Sequence, residues 1–242
     1  MGSSWVITSG KGGVGKSTIT VGLGRAMAAR GRRVLLIDCD AGLRSLDRMT
    51  GIEEDLVYDI GDLVHGECAP LDAIYPCVPG LYVLPAPTSI ERQIPQATME
   101  NLLPFLSKYY DLVLLDSPAG IGAGFQSAVC AADRGLIVCT PDPVCVRGTA
   151  AVRELLTQAG KEEQYLLINR LNRKLFHSTD YYQDLDAVID DSGIQLCGVV
   201  PEDYTMAAAF LRGKPAAEQS PGMMAIARIG GRLEGDMVPL GL

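Results

Sequence analysis

No apolar run in the 242 residues approaches the ~20 uninterrupted positions of a membrane-spanning helix. No charged and apolar leader precedes the first strand-like stretch, so a cytoplasmic protein is expected. The seven cysteines, at 39, 68, 77, 130, 139, 145 and 197, form no C-x-x-C pair. Without an export signal, free and mostly buried thiols are expected, not disulfides or a metal site. Histidine is scarce: His65 and His177 are the whole supply, and neither has a second ligand at metal spacing. His65 reads as structural or exposed. The formal charge of −8 argues against nonspecific DNA binding, though not against a local basic patch. With 48% hydrophobic residues the chain can build one large core, and its length suits a single α/β domain over 1–242.

Glycine is plentiful where chemistry requires it. The apolar run Trp5-Val6-Ile7 leads into Ser9-Gly10-Lys11-Gly12-Gly13-Val14-Gly15-Lys16-Ser17-Thr18. A stretch of helical spacing follows, with Ile19, Leu23, Ala26 and Met27 on one face and a stop near Gly31. Gly10, Gly15, Lys16 and Ser17 satisfy G-x-x-x-x-G-K-[ST], the phosphate-binding loop. Its glycines let backbone N–H groups turn toward phosphates, and the helix start adds unpaired N–H groups and partial positive charge. Lys16 would reach the β- and γ-phosphates, and Ser17 would ligate Mg²⁺. Strand, loop and helix together read as a nucleoside triphosphate site.

Lys11 is superfluous to an ordinary loop of this kind. It is either a solvated charge or a group that reaches a phosphate bound by a second subunit. Such a contact at about 4 Å is worth roughly 1 kcal/mol in water but about 4 at an effective dielectric near 20. With Lys11, the run K-G-G-x-G-K-[ST] resembles the deviant Walker A family of P-loop ATPases. That resemblance implies ATP and Mg²⁺ as cofactors, with Gly12, Gly13, Val14, Gly15, Lys16, Ser17 and Thr18 wrapping the nucleotide.

Two further stretches carry carboxylates. Val34-Leu35-Leu36-Ile37 reads as a strand buried on both faces and runs into Asp38-Cys39-Asp40-Ala41-Gly42-Leu43-Arg44-Ser45-Leu46-Asp47. Aspartates at the C-terminal end of a parallel strand lie where α/β sheets bind ligands. Asp40 can orient or activate water, and Asp38 can hold Mg²⁺ through waters; either alone reads equally as a turn or capping residue. Cys39 reads as packing. Leu112-Val113-Leu114-Leu115-Asp116 ends in a second such aspartate, the Walker B pattern, which puts Asp116 near Mg²⁺. Both stretches resemble the MinD type within the MinD/ParA family. D-x-D-x-G-L-R-[NS]-L-D matches its first switch, and Asp116-Ser117-Pro118-Ala119-Gly120-Ile121 matches its second.

Strand and helix alternate through the rest, so a doubly wound, mostly parallel sheet with helices on both faces is expected. Residues 55–80 read as short helices and a loop, Leu81–Leu84 as a strand, and 88–98 as a polar loop. Leu102–Leu106 reads as a helix with Pro104 in its first turn or at a kink. Strands are expected over Gly135–Cys139, Gln164–Asn169 and Leu196–Val200, with a helix from Val144 to Ala159. Asn169 is either a turn residue or, as in relatives, a contact to an adenine edge. Pro201-Glu202-Asp203 borders the base in the MinD pattern, chiefly through backbone. The basic cluster Arg170, Arg173, Lys174 and His177 reads either as a contact to nucleic acid, acidic lipid or a partner or as a solvated loop face; with no aromatic stacking platform interleaved, the solvated face is expected, with no specific nucleic acid as partner.

The resemblance implies a dimer that forms with ATP, with Lys11, Lys16 and Asp40 catalytic, slow hydrolysis, and a division inhibitor and an activating protein as partners. A metal-centre maturation ATPase would need cysteine or histidine pairs at the subunit seam, and a ParA-like partition ATPase a different first switch. A kinase-like enzyme would need an acceptor site, and none is recognisable. The tail departs from the MinD pattern. Gly230-Gly231 weakens helix continuation, Glu234 and Asp236 oppose an anionic surface, and 234–242 carries no recognisable amphipathic anchor. Membrane association is therefore expected to be weak, through partners at the inner face. The chain alone is expected to sediment poorly with anionic vesicles even in Mg-ATP; strong ATP-dependent co-sedimentation would overturn that.

Overall fold

The computed structural model describes residues 2–241; Met1 and Leu242, the ends of the expected domain, lie outside the described residues. The first half of the chain runs β1 (Ser3–Thr8), α1 (Lys16–Ala29), β2 (Val34–Asp38), α2 (Ser45–Thr50), α3 (Ile60–His65), β3 (Tyr75–Val78), β4 (Leu81–Leu84), α4 (Gln96–Leu106) and β5 (Leu112–Asp116). It continues α5 (Ala123–Ala131), β6 (Arg134–Cys139), α6 (Pro143–Gln158), β7 (Gln164–Leu171), α7 (Arg173–Thr179), α8 (Leu185–Ser192), β8 (Leu196–Pro201), α9 (Tyr204–Leu211) and α10 (Pro221–Leu233). The described strands form one eight-stranded sheet in the order β3-β4-β2-β5-β1-β6-β7-β8, parallel throughout except that β3 runs against β4.

The apolar runs explain the layering. Every residue of β2 and β5 is buried, as strands covered on both faces must be. From β1 the chain moves to β2 through α1, and later from β5 outward through α5 and α6. Right-handed crossovers put these two sets of helices on opposite faces. α10 returns to pack on α1 and β8. The phosphate-loop strand β1 lies between β5 and β6, so the loop leaves the middle of the sheet at its C-terminal edge.

Four local expectations are corrected. The stretch expected as loop includes β3, an edge strand whose Pro76 sits at a register shift; an edge needs no ladder N–H there. α4 begins at Gln96, inside the expected polar loop, and Pro104 lies in its last turn, where the helix ends two residues later. The basic cluster is not a loop face: three of its members open or line the short helix α7, behind Arg170 at the end of β7. α10 continues through Gly230-Gly231 to Leu233, because both glycines are buried and a Cβ on Gly230 would sit 2.8 Å from Met27 Sδ. Beyond it Glu234 and Asp236 are not free charges, since Arg30 and Arg32 pair with them. His65, as expected, is exposed, with Nδ1 2.7 Å from the Gly61 carbonyl oxygen.

The loop is seated on α6 backbone to backbone. A Cβ on Gly10 would lie 2.0 Å from the Gly148 carbonyl carbon, and one on Gly148 would lie 2.8 Å from the Gly10 oxygen. Overpacking of this kind costs about 1–3 kcal/mol. Gly148→Ala is expected to lower the urea midpoint accordingly and to weaken nucleotide binding; unchanged values for both would show that the contact is soft.

Candidate nucleotide site

The site is built from the loop upward. Gly15, the residue before α1, has φ 97°, and a Cβ there would meet Asn169 Nδ2 at 2.5 Å, so the turn and the close approach both require glycine. Asn169 Nδ2 donates to the Val14 carbonyl at 2.8 Å and pins the loop to the end of β7. The N–H groups of Gly12, Gly13, Val14 and Gly15 meet no backbone carbonyl among the described residues, which leaves them available to an anion. Lys16 opens α1 and is 8% exposed, with Nζ 3.2 Å from Ser9 Oγ. Burial lowers its pKa, while the charges of Asp116 and Asp40 pull it back up. Ser9 Oγ in turn donates to the Lys11 carbonyl.

Parallel pairing of β2 with β5 puts Asp38 opposite Asp116 in register. Both are buried, at 1% and 2% exposure. Ser17 Oγ donates to Asp116 Oδ2 at 2.6 Å and Thr20 Oγ1 to Asp116 Oδ1 at 2.9 Å. Asp38 accepts from the backbone N–H groups of Asp40 at 2.9 Å and Leu46 at 3.1 Å. Burial, and then the charge of Asp116, pushes the Asp38 carboxyl up to about 7. Asp116 is pushed up to about 6 by burial, against hydrogen bonds from Ser17 and Thr20 and the nearby Lys16. Two buried carboxyls and a hydroxyl, all hard oxygen donors, suit Mg²⁺. Asp40 is half-buried and its carboxyl is raised by burial, against the charge of Lys16. Cys39 between them is buried, with its thiol held far above the ordinary range by that burial, which fits packing and not reactivity.

Lys11 does not point at the loop it opens. Its ammonium lies 3.4 Å from Asp142 Oδ1, and the side chain is 47% exposed. Asp142 is the N-cap of α6, accepting from Cys145 N and Thr140 Oγ1. An aspartate directly before Pro143 is a helix-start signal, but no motif marks Asp142 as part of the site.

The remaining sequence-derived residues converge on one cavity. Thr18, Asn169, Pro201, Glu202 and Asp203 line a 240 Å³ pocket beyond the loop, together with Arg170, which the sequence reading left in solvent. Asp203 lends this pocket no free side chain. Its oxygens accept from Met206 N, Thr205 Oγ1 and Gly222 N. Those bonds outweigh the effect of burial and hold its carboxyl at about 2. A larger cavity, 620 Å³, opens at the opposite end of the sheet beside Trp5, Arg33, Tyr110 and Arg134, and none of the expected site residues reaches it. Among the described residues all seven cysteines are free and no three His, Cys, Asp or Glu side chains converge as a metal site.

Residues 5–216 match the model of the CobQ/CobB/MinD/ParA nucleotide binding domain. The septum site-determining protein MinD of Bacillus subtilis is 37% identical over 99% of this chain and 92% of its own length. The chain belongs to the MinD family. Among solved structures, the MinD cell division protein of Aquifex aeolicus superposes with a TM-score of 0.89 at 35% identity, covering 98% of this chain and 99% of that one. The same relative has been solved as a MinC:MinD complex, with TM-score 0.86, 37% identity and 98% of each chain covered. The MinD of Pyrococcus horikoshii, solved with Mg-ADP, superposes at 0.87 with 28% identity over 97% of this chain and 96% of that one. The eight-stranded, mostly parallel sheet is thus the fold of the MinD/ParA P-loop ATPases, and this chain is a MinD-type ATPase.

The raised carboxyls of this MinD-type site set a pH dependence for the ligand-free protein. Asp38 and Asp116 bind protons in the folded state up to about pH 7 and 6, but in the unfolded chain only to about 4. Between pH 4 and 7 the folded state therefore holds more protons, and stability falls as pH rises through that window. In EDTA, urea unfolding is expected to show a loss of about 5 kcal/mol from pH 4.5 to 8. Asp38→Asn should flatten the profile; a wild-type profile that is level or rises would contradict the assignment.

Proposed function

We propose that this chain is a Mg-ATP-dependent switch of the MinD type, monomeric or dimeric according to its nucleotide, that acts in placing the division septum. The observation that carries this reading is the gathering of Lys16, Ser17, Asp38, Asp40 and Asp116 at the C-terminal ends of β1, β2 and β5 in a chain 37% identical to a septum site-determining MinD. Residues 1–242 act as one ATPase domain in this reading.

Gly12 to Thr18 cradle the triphosphate, with Lys16 on its terminal oxygens. Bound Mg²⁺ supplies positive charge against the phosphates, and Ser17, Asp116 and Asp38 are the residues that would hold it. Asp40, half-buried and with its carboxyl raised, orients a water and accepts its proton. The base lies in the 240 Å³ pocket, against Asn169 and the backbone of Pro201-Glu202-Asp203. Lys11, released from Asp142, crosses to the nucleotide of a facing subunit, so that ATP holds two subunits together and hydrolysis parts them. The Aquifex aeolicus relative in complex with MinC supports a division inhibitor of that kind as partner, with an activating protein that speeds turnover. Among the described residues no helix is long and apolar enough to cross a membrane; in this reading the chain meets the inner face of the membrane through partners.

Light scattering on Asp40→Ala tests the switch. A dimer in Mg-ATP and a monomer in Mg-ADP are expected, with the dimer lost when Lys11→Ala is added. A monomer in both nucleotides, despite demonstrated ATP binding, would remove the two-subunit mechanism.

A further inference from the structure

The basic side chain at the end of β7 is placed by an irregularity that nothing so far explains. The β7–β8 register passes from Ile168↔Val199 to Leu171↔Pro201, three residues along β7 against two along β8. Such a bulge re-aims side chains and is common beside ligand sites. Inside it Arg170 takes φ 54°, a left-handed conformation that non-glycine residues avoid unless something holds them there. In a regular strand Asn169 and Arg170 would point to opposite faces. Here both line the same 240 Å³ pocket, Asn169 reaching the Val14 carbonyl. Arg170 Nε lies 3.9 Å from where a Cβ on Gly15 would stand. Glu202 lines the same pocket, and its carboxyl is held below its usual range by hydrogen bonds from Asn172 and Tyr204 and further by the Arg170 charge.

The guanidinium thus lies between the phosphate loop and the rim of the base pocket, and among the described residues no carboxylate lies within ion-pair distance of it. A planar cation beside a pocket sized for a single heterocycle matches the π-face of a nucleobase. We propose that Arg170 is a specificity-determining residue of this site: its guanidinium stacks on the nucleobase and sets the preference for a nucleotide over a bare polyphosphate. The proposal rests on the nucleotide-site reading above.

Calorimetric titration of the full chain with MgADP and, separately, with magnesium pyrophosphate tests it, on wild type, Arg170→Asn and Arg170→Lys. Asparagine tolerates the left-handed backbone, so the bulge survives while the guanidinium goes. Lysine keeps the charge but not the plane. Both variants are expected to bind MgADP about tenfold more weakly and pyrophosphate within about twofold of wild type. Unchanged MgADP affinity in Arg170→Asn, or full recovery in Arg170→Lys, would overturn stacking. A parallel loss for pyrophosphate would put the guanidinium on phosphate and overturn it as well. Wild type that bound neither ligand would fail the nucleotide-site reading itself, and the proposal with it.

Discussion

Two carboxyls buried side by side at the ends of neighbouring parallel strands are the constraint on which the rest of the site turns. Asp38 and Asp116 are in register because β2 and β5 pair in parallel, and each raises the other's cost of ionisation. What offsets that cost is local: the hydroxyls of Ser17 and Thr20 and the ammonium of Lys16 around Asp116, and backbone N–H groups around Asp38. The bonds to Asp38 come from Asp40 and Leu46, the two ends of the first switch. The group beside the metal position therefore also shapes the segment that carries the proposed water-positioning residue. Charge at Asp38 and placement of Asp40 are one problem in this fold.

In the proposed two-subunit switch, Lys11 gives up only a cheap contact. Its ion pair with Asp142 is half-exposed, and pairs of that kind contribute about 0–1 kcal/mol. A phosphate contact shielded between two subunits is worth several times more. The intramolecular pair therefore parks the side chain near the loop without holding it there against a better partner. Because Asp142 also caps α6, the departure of Lys11 leaves it two neutral donors, Thr140 Oγ1 and Cys145 N, so α6 keeps its N-terminal cap.

The legible parts of this sequence were those where chemistry fixes residue type and spacing together. Gly15-Lys16-Ser17, Asp38 with Asp40, and Asp116 at the end of an apolar run each carry their geometry in the chain order, and the fold brings them together at one sheet edge. The parts that were not legible depend on neighbours far along the chain. β3 is four residues long with a proline, and pairing with β4 makes it a strand. Gly230 and Gly231 look like helix breakers until Met27 is found against one of them. Arg170 follows an asparagine at a strand end, and nothing in the order of residues reveals a bulge, which is a mismatch between two strands.

The packing also decides which parts of the site can move. In α1, ten of fourteen residues are buried, and its far face meets α10, so the helix that presents Lys16 and Ser17 is clamped along its length. The proposed base pocket is backed by the same layer, because Asp203 ties the start of α9 to the start of α10. Phosphate end and base end are therefore held by one rigid layer, and gain or loss of a terminal phosphate cannot be absorbed there. The segments free to respond are Gly42-Leu43 in the first switch and Ala119 to Ala123 in the second, all exposed. Leu43 and Ile121 are apolar side chains left 69% and 59% exposed on those segments. A monomer gains nothing from such exposure, whereas a second subunit closing over the site would cover both.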